Sequence, residues 1–366
     1  MTCATPAPEG AAPGAARRDA PDTDPVTLLD TSGTVVVVGA GIAGVECARQ
    51  LHRAGVPVRL LDRGHRISGR MGARTVDSVQ GRHVVDLGAS YFTVRDDEFR
   101  EVADDWERRG LARPWTDTFH LSDGTRLVGT KVGPVRWAAG GGLRSLVEDL
   151  ADGLDVVHPY DAVEVVRDGD GVRVDGQRYR AAVLAMPDPQ VRDLVDPALG
   201  DELLGSEAWA WRPTVAVLAG WSGRWWPELD GVFVSDSPVV EWVADDGRRR
   251  GDDAPVLVAH TTGVFAARHL DDPAEAVTPV LAALGEVLGR HQPVPEPEWA
   301  RAHRWSLASP TRPRPAPDFV LDTTGTVGVC GDGWGERSRV EAAWLSGHRL
   351  GRELAARLGG RVEQAV

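Results

Sequence analysis

Thr34-Val35-Val36-Val37-Val38-Gly39-Ala40-Gly41-Ile42-Ala43-Gly44 is the stretch that decides the fold. Four consecutive valines suit a strand buried on both faces. The run stops at Gly39-x-Gly41-x-x-Gly44, where the glycines serve three separate ends. They allow a tight turn, close approach of backbone to a pyrophosphate, and close packing of helix on strand. The helix that begins here aims free backbone N–H groups and the positive end of its dipole at negative charge. A second strand, Val56-Pro57-Val58-Arg59-Leu60-Leu61, ends at Asp62, 18 residues beyond Gly44. An acid at that place can accept hydrogen bonds from a ribose diol. Three glycines alone would carry little in a chain that has 42. Strand, glycines, helix, second strand and acid in this order point to a dinucleotide, held by Gly39, Ala40, Gly41, Ile42, Gly44 and Asp62. The motif itself leaves FAD and NAD both open.

The rest of the composition narrows the class. With 366 residues the chain can hold two domains and a large core. Its net charge of −13 argues against a nucleic-acid partner. The three cysteines, Cys3, Cys47 and Cys330, have no metal or disulfide spacing, which suggests a reducing, cytoplasmic setting. No apolar run is long enough to span a membrane. Residues 1–33 are rich in Ala, Pro, Gly, Thr and Asp without an apolar h-region, and read as a disordered tail.

Beyond Asp62, Ser68-Gly69-Arg70-Met71 offers a flexible backbone and a forked cationic donor, suited either to a pyrophosphate or to solvent. A polar amphipathic helix is expected over 99–109, with short strand-like pieces at 119–121 and 126–128. Gly140-Gly141-Gly142 precedes a helix over 143–154; no apolar strand leads into it, so it reads as a helix start. Residues 155–157, 162–167 and 172–175 alternate as antiparallel strands do, with Asp168-Gly169-Asp170-Gly171 as a hairpin turn. Ala181 to Pro187 reads as a buried strand. Of 13 tryptophans, eight lie between 209 and 305; a flat substrate could stack on some, although each singly suits a core. Last comes the strand Val327-Gly328-Val329-Cys330-Gly331-Asp332-Gly333-Trp334, then a helix from about Val340 to Leu358 with apolar or small residues at helical spacing. Asp332 can accept from a ribityl hydroxyl. The helix start near Val340 can stabilise negative charge on a reduced flavin ring.

Several of these segments together resemble the renalase branch of the FAD-dependent amine-oxidase superfamily. They are Asp62-Arg63-Gly64, Ser68-Gly69-Arg70-Met71, Asp86-Leu87-Gly88-Ala89-Ser90-Tyr91-Phe92-Thr93, Gly142 to Val165, Thr261 to Leu270, His303-Arg304-Trp305, Cys330 to Trp334 and Val340 to Gly347. The resemblance runs from about Thr34 to Leu358. It implies cofactor contacts at Arg63, Arg70, Met71, Gly88, Ala89, Val163, Gly331, Asp332, Val340 and Glu341, and a substrate pocket near Tyr91, Trp305 and Trp334. Ser68 stands where the family usually has the first glycine of Gly-Gly-Arg, and Ser90 where glutamine is common.

The expected fold class is α/β: a Rossmann-type FAD-binding domain with a discontinuous α+β substrate domain, as in p-hydroxybenzoate hydroxylase and the amine oxidases. The expected FAD-binding segments are 34–88, 131–190 and 301–358. Residues 89–130 and 191–300 form the substrate domain, and 359–366 a second tail. FAD would be held without a covalent bond, since Cys47 falls in a helix and Cys330 in a strand. The resemblance implies an oxidase that takes a hydride from a small donor, dihydronicotinamide isomers in the first place, and passes electrons to oxygen. An amine or biosynthetic-intermediate oxidase is the alternative, followed by a flavin hydroxylase and a non-catalytic flavin-binding protein. No metal is expected, and no side chain is required as a base when the hydride donor aromatises.

Overall fold

A computed structural model describes residues 31–78, 81–207, 209–290, 292–312, 314, 317–335 and 337–359. Its organising element is a six-stranded sheet in the order Phe319–Leu321, Val327–Cys330, Ala181–Leu184, Val35–Val38, Val58–Leu61, Asp155–Val157. Every neighbouring pair is parallel except the edge pair Phe319–Leu321 with Val327–Cys330. The four valines of the central strand are all buried. Their alternation explains why. Val35 and Val37 point into a core shared with the helices Ile42–Arg53, Leu143–Leu150 and Val340–Arg357. Val36 and Val38 point into a core on the other face, shared with the small sheet that carries Val165, Val172 and Val174 and with the helix that carries Leu199 and Leu203. A continuous apolar run is thus the signature of two covered faces.

The first and last helices touch at backbone distance. A Cβ at Gly347 would lie 1.9 Å from the Ala43 carbonyl oxygen, and one at Gly351 would lie 2.7 Å from that of Cys47. The last helix can therefore close over the first only with small residues at these two places.

A second sheet has seven strands, in the order Trp299–Pro310, Trp211–Gly220, Val256–Thr261, Val240–Asp245, Gly231–Val234, Arg113–Ser122, Leu127–Ala138. One face packs Val215, Val217, Val243 and Leu257 against Val280, Leu284 and Val287 of the helix Val277–Val287. The tryptophans Trp221 and Trp226 belong to this core. The opposite face presents Leu218 and Val258 to Val76, Val85 and Leu87, residues of and just after the hairpin Ala73–Ser78/Gly81–Asp86. The two sheets therefore meet through the segment that follows the dinucleotide motif.

Several local expectations are refined. Asp155–Val157 is a parallel edge strand beside Val58–Leu61, not an antiparallel partner of the following hairpin. That hairpin pairs Val165–Asp168 with Gly171–Val174 around the predicted turn. Residues 162–164 are not strand; the amides of Val163 and Glu164 donate to the Asp175 carboxylate instead. The pieces at 119–121 and 126–128 belong to one long hairpin, Arg113–Ser122 with Leu127–Ala138. Residues 131–138 and 301–310, grouped in the sequence with the cofactor segments, lie in strands of the seven-stranded sheet. Thr31, read as tail, is buried, and its hydroxyl donates to the Arg178 carbonyl at 2.5 Å. Residues 1–30 and 360–366 lie outside the described residues. Among those described, no helix is long and apolar enough to cross a membrane.

Candidate active site

The turn after Val38 has the geometry its glycines require. Gly39 has φ +104°, and a Cβ there would lie 2.6 Å from the Ala185 carbonyl oxygen. A Cβ at Gly44 would lie 1.9 Å from the Gly39 carbonyl oxygen, so helix and strand can pack only with glycine. Gly41 is different: among the described residues nothing lies within 4 Å of its Cβ position. It leaves space for a ligand at the start of the helix, which begins at Ile42 with no side-chain cap. Asp62, at the end of the second strand, accepts from Ala40 N–H and Gly64 N–H, each at 2.7 Å. The carboxylate is thereby fixed beside the turn, where a ribose diol can reach it. Arg63 is exposed.

A second loop lies against this turn. Ser68 N–H donates to the Ala40 carbonyl at 2.9 Å, and Ser68 bridges to Gly41. Arg70 then spans the molecule. Its Nη1 and Nη2 grip the Asp332 carboxylate at 2.9 and 2.5 Å, and Nη1 also donates to the Ala308 carbonyl at 3.1 Å. Its guanidinium lies over the Trp211 ring. Such a bidentate pair fixes both partners in orientation. The two cofactor segments predicted from opposite ends of the chain are therefore in direct contact. Met71 is buried. Gly88 and Ala89 abut Arg70: a Cβ at Gly88 would lie 1.9 Å from the Arg70 carbonyl oxygen, which accepts from Ala89 N–H at 2.9 Å. Gly331 has φ +150° with open space on its Cβ side, and its N–H donates to Ser346 Oγ.

Three further predicted residues are placed as follows. Glu341 is buried, and its Oε1 accepts from Arg95 and Asp96 N–H at 2.6 and 2.9 Å, tying the 88–96 segment to the last helix. Val340 opens that helix, which has no side-chain cap. Val163 is 70% exposed. It lies in the segment whose Tyr160 N–H donates to the Asp62 carbonyl.

The segment Leu87–Tyr91 crosses the face of the seven-stranded sheet. Register places Trp242, His260, Ala216 and His303 in one row across four strands of that face. Trp305 Nε1 donates to the Leu87 carbonyl at 2.9 Å, and the Leu87 backbone also bonds the His260 ring. Trp242 Nε1 donates to Ser90 Oγ at 2.9 Å, and Arg249 Nη1 to the Ser90 carbonyl at 2.8 Å. Arg249 is itself buried between Asp86 and Asp246. Tyr91 is bordered by Trp115, Phe119 and Trp242, with ring centroids 5.3 to 6.4 Å away. Burial raises the Tyr91 phenol, opposed by its hydrogen bond with Arg136. Burial and the Arg249 charge push His260 down to about 4. Burial, with Arg74 and Arg304, also lowers His303, whose ring meets Trp305 edge-on at 4.5 Å. Both imidazoles are neutral at pH 7.

Tyr91 and Trp305 thus lie along one surface. Trp334 does not join them. It is buried in the core beneath the six-stranded sheet, under the Arg314 guanidinium that pairs with Asp188. Sequence reasoning passed over His260, Arg136 and Arg249. A lone imidazole at the end of the apolar run Val256–Ala259 was the available signal for His260. Arg249 sits in Asp245-Asp246-Gly247-Arg248-Arg249-Arg250, a run that reads as a solvated surface, yet Asp245, Asp246, Arg249 and Arg250 are all buried.

The residues present fit FAD. An uncapped helix start, an open Gly41, a fixed Asp62 and the Arg70–Asp332 pair lie in sequence-distant segments that converge. Gly39 to Gly44 and Asp62 would hold the ADP half; Arg70, Gly331, Asp332 and the last helix would hold the flavin half.

Comparison with known proteins agrees with this geometry. Residues 37–106 match the NAD(P)-binding Rossmann-like domain, and residues 123–354, more than half the chain, match the flavin containing amine oxidoreductase family. Cyclohexylamine oxidase from Brevibacterium oxydans IH-35A superposes with a TM-score of 0.67 at 14% identity, over 90% of this chain and 100% of that one. A triple mutant of putrescine oxidase gives 0.65 at 16% identity, over 89% and 99%. A protein from Exiguobacterium sp. 255-15 assigned as a protoporphyrinogen oxidase gives 0.67 at 14%, over 89% and 99%. At these identities the likeness to the three structures is one of fold. The match over residues 123–354 is one of family: the chain belongs to the flavin containing amine oxidoreductases and is a FAD-dependent oxidoreductase.

Proposed function

We propose that this protein is an oxidase of the renalase type, which takes a hydride from dihydronicotinamide rings reduced at the 2- or 6-position and passes the electrons to oxygen. The observation that carries the reading is the charge state of the surface under Leu87–Tyr91. Trp305, Trp242 and Tyr91 are aromatic, His260 and His303 are held neutral, and the charges nearby are those of Arg136, Arg249, Arg74 and Arg304. The adjoining acids Asp86 and Asp246 are engaged by Arg249. A protonated amine would find these two carboxylates already paired. A neutral ring that becomes aromatic on losing hydride needs neither a carboxylate nor a base.

FAD supplies the hydride acceptor when bound. The chain itself has to hold the donor flat and keep water out. Trp305 is fixed by its bond to Leu87, and Trp242 by its bond to Ser90, so both rings are set before a substrate arrives. One observation favours a second reading, an amine oxidase: residues 123–354 match the flavin containing amine oxidoreductase family.

Anaerobic mixing separates the two. The flavin-loaded protein is combined with 2- and 6-dihydronicotinamide isomers, with ordinary NADH, and with a panel of primary amines, while the visible flavin band is followed. Bleaching by the isomers alone is the expected result. Bleaching by amines alone would replace the renalase reading with the amine one.

A further inference from the structure

Ser68 holds a backbone conformation that suits glycine. Its φ is +111°, where only glycine is free of strain. Its side chain is buried, and Oγ has no hydrogen-bond partner among the described residues. The hydroxyl does not cap the short turn Gly69–Met71 that it precedes, the usual use of serine at such a place. The loop's architecture does not depend on it. Ser68 N–H donates to Ala40 O at 2.9 Å, and Met71 N–H to Ser68 O at 3.0 Å; glycine would make both bonds without strain and without an orphaned hydroxyl. A strained residue bearing a buried, unsatisfied polar group calls for a reason outside the free protein's own contacts. Its location supplies one. Ser68 bridges to Gly41, the glycine of the dinucleotide turn whose Cβ side is open.

We propose that Ser68 is a cofactor-binding residue, its hydroxyl donating to a phosphate oxygen of the FAD pyrophosphate. The inference rests on the FAD assignment above. Serine here is unfavourable in the free protein and favourable in the loaded one, because the missing acceptor arrives with the cofactor.

The test compares flavin-free full-length wild type, Ser68→Gly and Ser68→Ala. Melting temperatures are measured without ligand, and affinities for FAD and for ADP by calorimetric titration. Ser68→Gly is expected to raise the melting temperature of the free protein while weakening FAD and ADP alike, by roughly tenfold or more. Ser68→Ala keeps the strained backbone and is expected to show the same loss of affinity; it carries the test if the glycine variant does not fold. Affinities unchanged in both variants would overturn the proposal, as would a loss for FAD without one for ADP, which would move the contact to the flavin half. Wild type that binds no FAD would overturn the cofactor assignment itself, and this proposal with it.

Discussion

Asp62 uses its carboxylate twice. Both oxygens already accept from backbone N–H groups, at Ala40 and Gly64, so the group is aimed before a ribose reaches it. Replacing it with alanine removes a charged acceptor from the cofactor and leaves two turn amides without partners. Charge-assisted hydrogen bonds contribute roughly 1.5–3 kcal/mol, so Asp62→Ala is expected to weaken FAD about ten- to a hundredfold and to lower the melting temperature as well. Flavin retention after dialysis checks the first effect, and thermal unfolding the second; full retention would remove Asp62 from the site. Residues of this kind were legible because turn, helix and acid lie within one short stretch of chain. Arg249 was not. Its partner Asp86 is distant in sequence, and a guanidinium is recognised as buried only when that partner is known. Ser90 stood out as a departure from the family pattern. What it does, accepting from the Trp242 indole beneath it, depends on how the Leu87–Tyr91 segment packs on the sheet, which no local pattern records.

Among the elements, the glycines of the first turn separate folding from binding. Gly44 meets the Gly39 carbonyl at a distance no Cβ can share, whereas Gly41 faces open space with φ −75°. Gly44→Ala must push the first helix off its strand, and with it the last helix packed on Ala43. It is expected to yield little folded protein. Gly41→Ala should fold with an unchanged melting temperature when free of flavin, yet bind FAD at least tenfold more weakly, since the methyl fills the ligand's space. Circular dichroism with FAD titration tests the pair; a Gly41→Ala variant with full affinity would show that the pyrophosphate does not approach there. The same scale marks where reading the chain failed. The buried run 35–38 announced its two covered faces. Asp155–Val157 did not announce its direction, because a three-residue strand alternates identically in parallel and antiparallel pairing and its neighbour decides.

For the molecule as a whole, the contact between the two sheets sets how the fold responds to acid. His260 lies in that contact and is held at about 4, against an ordinary 6.5; His303 is lowered in the same direction. When a histidine's folded value is depressed, the unfolded chain takes up the proton first as pH falls. Stability is then complete above about 6.5 and is lost between there and about 4. Carboxylates held low by hydrogen bonds, such as Glu202 at about 2, act in the same sense but only in more acidic solution, below their ordinary range. Asp86, raised by burial, acts oppositely, gaining stability as pH falls. Over the interval from pH 6.5 to 5 the histidines cost stability, while Asp86 and Glu241, both raised by burial, oppose them. Across it His260 alone should remove about 2 kcal/mol of unfolding free energy, at about 1.4 kcal/mol per pH unit. Urea unfolding at pH 7.5 and at pH 5 measures the difference, and His260→Gln should abolish most of it whatever its effect on stability at pH 7.5. The same change between the two values in wild type and in His260→Gln would mean that His260 takes up its proton freely. The neutral surface on which the hydride-transfer reading depends would then lose its main support.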